Sequence, residues 1–224
     1  SARKEERLDV DLRRPTKDTW VITPDTTALV VIDMQRAFLD TGRCVGAEEL
    51  VPKVNELAAM CRKLNIPVIF VKASRRADLS DSGLMAYFHA WQPDDEMRAL
   101  EGKKGVEFCD DLDVTQNDYI VPKKRYSALI PGSSVLEPLL RGLGRDSFIV
   151  CGVATDICVG TTTTDGMMLG FKVFFVGDLT ATFSEERQKA ALEVYNMFAK
   201  VMTFDEVMKE LAQLVAPMPS ELKK

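Results

Sequence analysis

Apolar residues recur along the chain in short continuous runs: "TALVVIDM" (27 to 34), "PVIFVKA" (67 to 73), "DYIVPK" (118 to 123), "SFIVCGV" (147 to 153), "KVFFVGD" (172 to 178) and "AKVMTF" (199 to 204). A half-exposed strand alternates apolar and polar positions, whereas a strand covered by helices on both faces does not. These six runs therefore predict a parallel sheet. The stretches between them carry helical spacing. In "GAEELVPKVNELAAMCRKLN", Leu50, Val54, Leu57, Cys61 and Leu64 step by four and three along one face. "SSVLEPLLRGLG", "SEERQKAALEVYNMFA" and "FDEVMKELAQL" repeat the pattern more briefly. Thr182, with Glu185 three residues on, fits a capping box at the start of one of them.

Alternating strands and helices joined by right-handed crossovers predict an α/β fold, a three-layer doubly wound sheet of six parallel strands in a single domain over 1–224. Such sheets place ligands beyond the carboxyl ends of the strands, where the strand order reverses. Two segments stand apart from the alternation. Residues 1–24 read as an N-terminal arm, and residues 74–117 are far longer than a usual crossover, so they read as a lid, a subunit contact or a plain surface excursion. "LMAYFHAW" within that excursion fits a short helix with an aromatic face.

Composition narrows the function. With 224 residues and a net charge of -5, the chain is acidic, and its lysines and arginines are scattered. Neither nucleic acid nor a membrane surface is an expected partner; a small molecule and sister subunits, as a homodimer or homotetramer, are. No run of about 18 apolar residues exists to span a bilayer. The charged start "SARKEERLDVDLRRP" lacks the apolar centre of a secretory signal, so a cytoplasmic location is expected. Five cysteines with no CxxC pair indicate neither a disulfide framework nor a cysteine zinc site. His89 is the single histidine, so unless it serves, a base must be a carboxylate or an amine.

Three reactive groups fall at or just past the ends of apolar runs: Asp33 in "VVIDMQ", Lys123 in "IVPKKRYSAL" and Cys158 after "FIVCGV". Each alone has a bland reading, as a turn residue, an exposed lysine or a small core residue. As a set they have a chemical logic. A thiol needs a base to become a thiolate, a carboxylate can be that base, and an ammonium stabilises both anions. "VGTTTTDGMMLG" is poor in helix formers, yet its place between two strands demands a crossover helix. A helix starting near Cys158 points free N–H groups at the sulfur.

"ALVVIDMQRAFL", "VPKKRYSAL" and "CGVATDICVGTTTTDGMMLGFKVFFVGD" resemble the three motifs of the isochorismatase-like cysteine hydrolases, in family order from about residue 27 to 204. The resemblance implies strand order 3-2-1-4-5-6. It implies Asp33 as acid/base, Lys123 as the lysine and Cys158 as nucleophile, with Lys124 the competing lysine. It also implies a cis peptide at Val153–Ala154 and an oxyanion hole from the Ala154 and Cys158 N–H groups.

Metal-binding nicotinamidases of the superfamily carry an aspartate and histidines after the second strand, where this chain has "KASRRADLSD". No metal and no cofactor are therefore expected. "RRADLSD" resembles members that hydrolyse biuret, ureidoacrylate and N-carbamoyl compounds, which implies cleavage of a small amide or ureido C–N bond through a thioester. The alternatives are an isochorismatase-type reaction on a non-amide substrate and a catalytically silent binding homologue. Gln35, Phe38, Arg76, Tyr126 and Trp91 are the candidate substrate contacts. Arg76 either grips a substrate oxygen or pairs with Asp78 or Asp81, and the aromatic residues either line a pocket or belong to the core.

Overall fold

The computed structural model describes residues 16–88 and 94–215. Six strands, β1 (Thr27–Ile32), β2 (Val68–Ala73), β3 (Tyr119–Lys123), β4 (Ser147–Val153), β5 (Lys172–Ala181) and β6 (Lys200–Met202), form one parallel sheet in the order β3-β2-β1-β4-β5-β6. The apolar runs thus locate all six strands. The reversal of order lies between β1 and β4.

Five helices cover the sheet: α1 (Val51–Lys63), α2 (Leu136–Gly142), α3 (Gly160–Met168), α4 (Glu185–Tyr195) and α5 (Phe204–Val215). On one face Val54, Leu57 and Cys61 of α1 and Val207 and Leu211 of α5 pack on Leu29, Phe70, Ile149 and Phe174. On the other, Leu136 and Leu140 of α2 pack with Val30, Val150 and Phe175, and the partly buried Leu192 and Tyr195 of α4 close over them. Both faces of the sheet are buried, which is why its strands are continuously apolar.

Local details differ from the sequence reading. The cap of α4 is Ser184, whose Oγ accepts a hydrogen bond from Arg187 N at 3.3 Å, while Thr182 Oγ1 bonds to Asp156. Thr182 lies too far before the helix start to reach its free N–H groups. Of the expected N-terminal arm, residues 1–15 lie outside the described residues. Residues 16–24 pack on the domain: Ile22 is buried, the Trp20 ring meets Phe174 edge-on at 6.5 Å, and Lys200 Nζ donates to Trp20 O at 2.7 Å.

The described parts of 74–117 hold only short helical turns, Gly83–Phe88 and Lys104–Val106. Single backbone bridges, Gln35 with Phe108 and Arg75 with Leu100, tie this excursion to the chain beyond β1 and β2.

Gly152 governs how closely the two central strands end together. Its φ is +111°, and a Cβ placed there would lie 2.1 Å from Ile32 O. Only a residue without a side chain lets β4 run so near the last residue of β1, the one before Asp33. The prediction is that Gly152→Ala costs roughly 2–6 kcal/mol, from backbone strain plus overpacking. Gly142→Ala, into open space on α2, should change stability by no more than about 1 kcal/mol. Paired urea unfolding curves check this, and equal midpoints for the two variants would refute it.

Candidate active site

The end of β1 turns sharply at Asp33, which adopts the left-handed region at φ 52°. Aspartate tolerates that region better than most residues, and the backbone is held there by Asp33 N donating to Val71 O at 2.9 Å. The carboxylate is then aimed across the strand ends. Its Oδ1 accepts from Ala73 N at 3.0 Å. Its Oδ2 lies 2.9 Å from Lys123 Nζ as an ion pair, but at an angle that leaves the oxygen without a formal hydrogen bond. That oxygen keeps acceptor capacity for another proton.

Lys123 is the last residue of the edge strand β3, and only 1% of its surface is exposed. Its Nζ also donates to Arg125 O at 3.0 Å and lies 3.3 Å from Cys158 Sγ. The ammonium therefore sits between the carboxylate and the thiol. Lys124, the neighbouring lysine, instead pairs at the surface with Asp81 and Glu101.

Cys158 lies in the helix that follows β4. The Val153–Ala154 peptide is cis. The first turn after it, Thr155–Val159, is wound as a π-helix, with Val159 N donating to Ala154 O at 3.1 Å, and continues directly into α3. Wide turns of this kind are frequent at functional positions. Gly160 lets Tyr195 of α4 pack against this turn, since a Cβ there would fall 2.0 Å from the ring.

Burial sets the charge state of the cluster. It pushes the Cys158 thiol up to about 12, with Lys123 pulling it down and Asp33 pushing it further up. Burial also works to lower Lys123, but Asp33, followed by the neighbouring Cys158, outweighs it and holds the ammonium above its ordinary range. At neutral pH Cys158 therefore rests as a thiol beside a charged Lys123.

These groups open into a cavity of about 470 Å³. Phe38 and Tyr126 line it, as do Ala73 from the end of β2, Ala154, Ile157 and, from the excursion, Met97, Arg98 and Ala99. Gln35 and Arg76 are not brought to it. The Gln35 amide is committed to backbone, exchanging hydrogen bonds with Ala73 N and O at 2.8 and 2.9 Å and donating to Val106 O at 2.8 Å. Arg76 is exposed and holds Asp78 at 3.1 Å. Trp91 and His89 lie outside the described residues. Arg43, Arg75 and Phe183 also line the cavity, and none of them is among the candidate contacts of the sequence, although Arg75 opens the "RRADLSD" stretch. The available signal for Arg75 was the doubled arginine in "SRRAD", since consecutive extended residues face opposite ways. Among the described residues no group of three His, Cys, Asp or Glu side chains is placed to hold a metal ion.

The isochorismatase domain family matches residues 27–206. The chain belongs to the isochorismatase family. This isochorismatase-family hydrolase is 32% identical over 179 residues to a Bacillus subtilis isochorismatase, covering 79% of this chain and 55% of that protein, so it spans about half of that relative's length. It is 33% identical over 167 residues to nicotinamidase 3 of Arabidopsis thaliana, covering 74% and 78%. The crystal structure of a cysteine hydrolase from Pseudomonas syringae pv. phaseolicola superposes with a TM-score of 0.78 at 27% identity, covering 87% of this chain and 96% of that one. The family's sheet order, 3-2-1-4-5-6, is the one found here.

The electrostatics of the cluster make a signed prediction for alkylation of Cys158, read by mass spectrometry of its peptide after iodoacetamide. Alkylation needs the thiolate, so its rate in the isochorismatase-family chain should climb about tenfold per pH unit from 7 to 9.5 without a plateau. Asp33→Asn removes the group that pushes the thiol up and should speed the reaction at pH 8. Lys123→Met removes the group that pulls it down and should slow it. Shifts of the same sign in both variants would contradict the arrangement.

Proposed function

We propose that this isochorismatase-family hydrolase is a cysteine amidohydrolase, cleaving the C–N bond of a small amide or ureido compound through a thioester. The observation that carries this reading is one ammonium, Lys123 Nζ, lying 2.9 Å from Asp33 Oδ2 and 3.3 Å from Cys158 Sγ at the floor of a cavity sized for a small molecule. A base, a cation and a nucleophile within such reach are what covalent catalysis without histidine requires.

Each step balances on these groups. Asp33 takes the Cys158 proton as sulfur attacks the carbonyl carbon, and the Ala154 and Cys158 N–H groups receive the charge developing on oxygen. The C–N bond then breaks while Asp33 returns the proton to the leaving nitrogen. A water next gives a proton to Asp33 and its oxygen to the thioester carbon. Breakage of the C–S bond releases the acid, and sulfur recovers its proton from Asp33. Throughout, Lys123 stays protonated and offsets whichever anion is present. A thiol with a pKa near 12 suits this cycle, because proton removal is coupled to attack on bound substrate instead of standing complete in the free enzyme.

The test is release of ammonia or amine, with a chelator present, from biuret, ureidoacrylate, N-carbamoyl amino acids, nicotinamide and simple aliphatic amides. Turnover should vanish in Cys158→Ala. Asp33→Asn should lower kcat by about 10²–10⁴-fold, the usual contribution of a positioned acid/base, with KM little changed. Activity surviving in Cys158→Ala, or full kcat in Asp33→Asn, would overturn the assignment.

A further inference from the structure

Three charged side chains are buried among the described residues: Asp33, Lys123 and Arg75. The first two neutralise each other. Arg75 has no such partner. It is only 4% exposed, its Nε has no hydrogen-bond partner, and no described carboxylate forms an ion pair with its guanidinium. A guanidinium is an always-charged group with five donors, and leaving it buried without an anion is among the costlier arrangements a protein can hold. Yet nothing in its backbone setting is loose: Arg75 bridges to Leu100 as an added piece of parallel ladder, and its carbonyl accepts from Glu101 N at 2.8 Å.

Arg75 lines the same cavity as Asp33 and Cys158. Burial lowers its pKa and Asp33 opposes this, but that carboxylate is already shared with Lys123. Taken whole, the lining carries Arg43, Arg75, Arg98 and Lys123 against Asp33 alone. A chain of net charge -5 thus encloses a cationic chamber. Arg43 lies over the Phe38 and Phe183 rings, at 5.9 and 5.3 Å from their centroids, and Arg98 is near Asp95 at 3.7 Å, which leaves Arg75 as the cation whose partner is missing from the protein itself.

We propose that Arg75 anchors a carboxylate of the substrate, so that the compound hydrolysed is a small anionic amide or ureido acid carrying the scissile carbonyl and a carboxylate on one short frame. This rests on the amidohydrolase reading and narrows it. Arg75 is the specificity determinant: its planar fork takes a carboxylate through two parallel hydrogen bonds, which fixes the frame with its carbonyl toward Cys158. The anion supplied by the substrate completes an electrostatic set that is incomplete in the free protein.

The test separates binding from turnover. Cys158→Ala protein, which cannot form the thioester, is titrated calorimetrically with malonamate, succinamate and N-carbamoylglycine, each against its uncharged amide partner. At least one carboxylate should bind tenfold or more tighter than its partner. Adding Arg75→Gln should abolish that ratio, while Arg75→Lys should keep part of it. Since Arg75→Gln removes an unpaired buried charge, it should melt no lower than its parent without ligand, and carboxylate should no longer raise its Tm.

In the wild-type chain the kcat/KM ratio between the members of each pair should fall in the same order, chiefly through KM. Equal affinities within every pair, or a preference that survives in Arg75→Gln, would overturn the proposal, as would failure of every carboxylate to bind the folded parent. Selective binding without any ammonia release would instead sink the hydrolase reading and leave the anion site standing.

Discussion

The ammonium of Lys123, set without solvent between a carboxylate and a thiol, is the constraint around which the sheet edge is arranged. Removing an ion from water costs several kcal/mol, and only close and correct neighbours offset that. The three groups come from the ends of three strands, β1, β3 and β4, and each must arrive in register. Between the first two lies β2, whose last residue is the small Ala73. Its N–H holds Asp33 Oδ1 and its backbone pairs with Lys123. On the other side Gly152 lets β4 close against β1. The apolar packing on both faces thus does more than stabilise the domain; it sets the spacing of a charge cluster that would be unfavourable in any other arrangement.

The same cluster accounts for a sulfur that rests as a thiol. Of the two charges beside Cys158, one favours ionisation and one opposes it, and burial decides the balance. Reactive cysteines in exposed, cationic surroundings ionise freely and oxidise readily. Here burial keeps the sulfur protonated.

Much of this was legible in the sequence. Continuous apolar runs predicted the strands because both sheet faces are covered, and the site fell at the strand ends for topological reasons that hold for any doubly wound sheet. Asp33, Lys123 and Cys158, which the structure brings together, sit in motifs at fixed offsets from those ends. The cavity wall was less accessible. Choosing Arg76 over Arg75 is a one-residue difference, and in extended backbone that turns the side chain to the opposite side. Gln35 is a candidate substrate contact in the sequence, but a primary amide three residues past a strand can equally satisfy orphan backbone groups, and that is what it does. Phe183 and Met97 came from segments with no periodic signal at all.

Gln35 has a further consequence. Its side chain fastens the end of β2 to Val106 in the long excursion, and that excursion supplies Met97, Arg98 and Ala99 to the cavity. Two kinds of sequence therefore meet at one opening: the ends of the sheet strands, and a long inserted segment tied to the domain by backbone bridges, by side-chain contacts such as Arg62 with Asp113 and Asn55 with Asp111, and by buried Cys109 and Leu112. A molecule built this way can acquire new substrates by rewriting one stretch of chain while its chemistry is inherited unchanged, and a single family can hold hydrolases of many compounds on one scaffold.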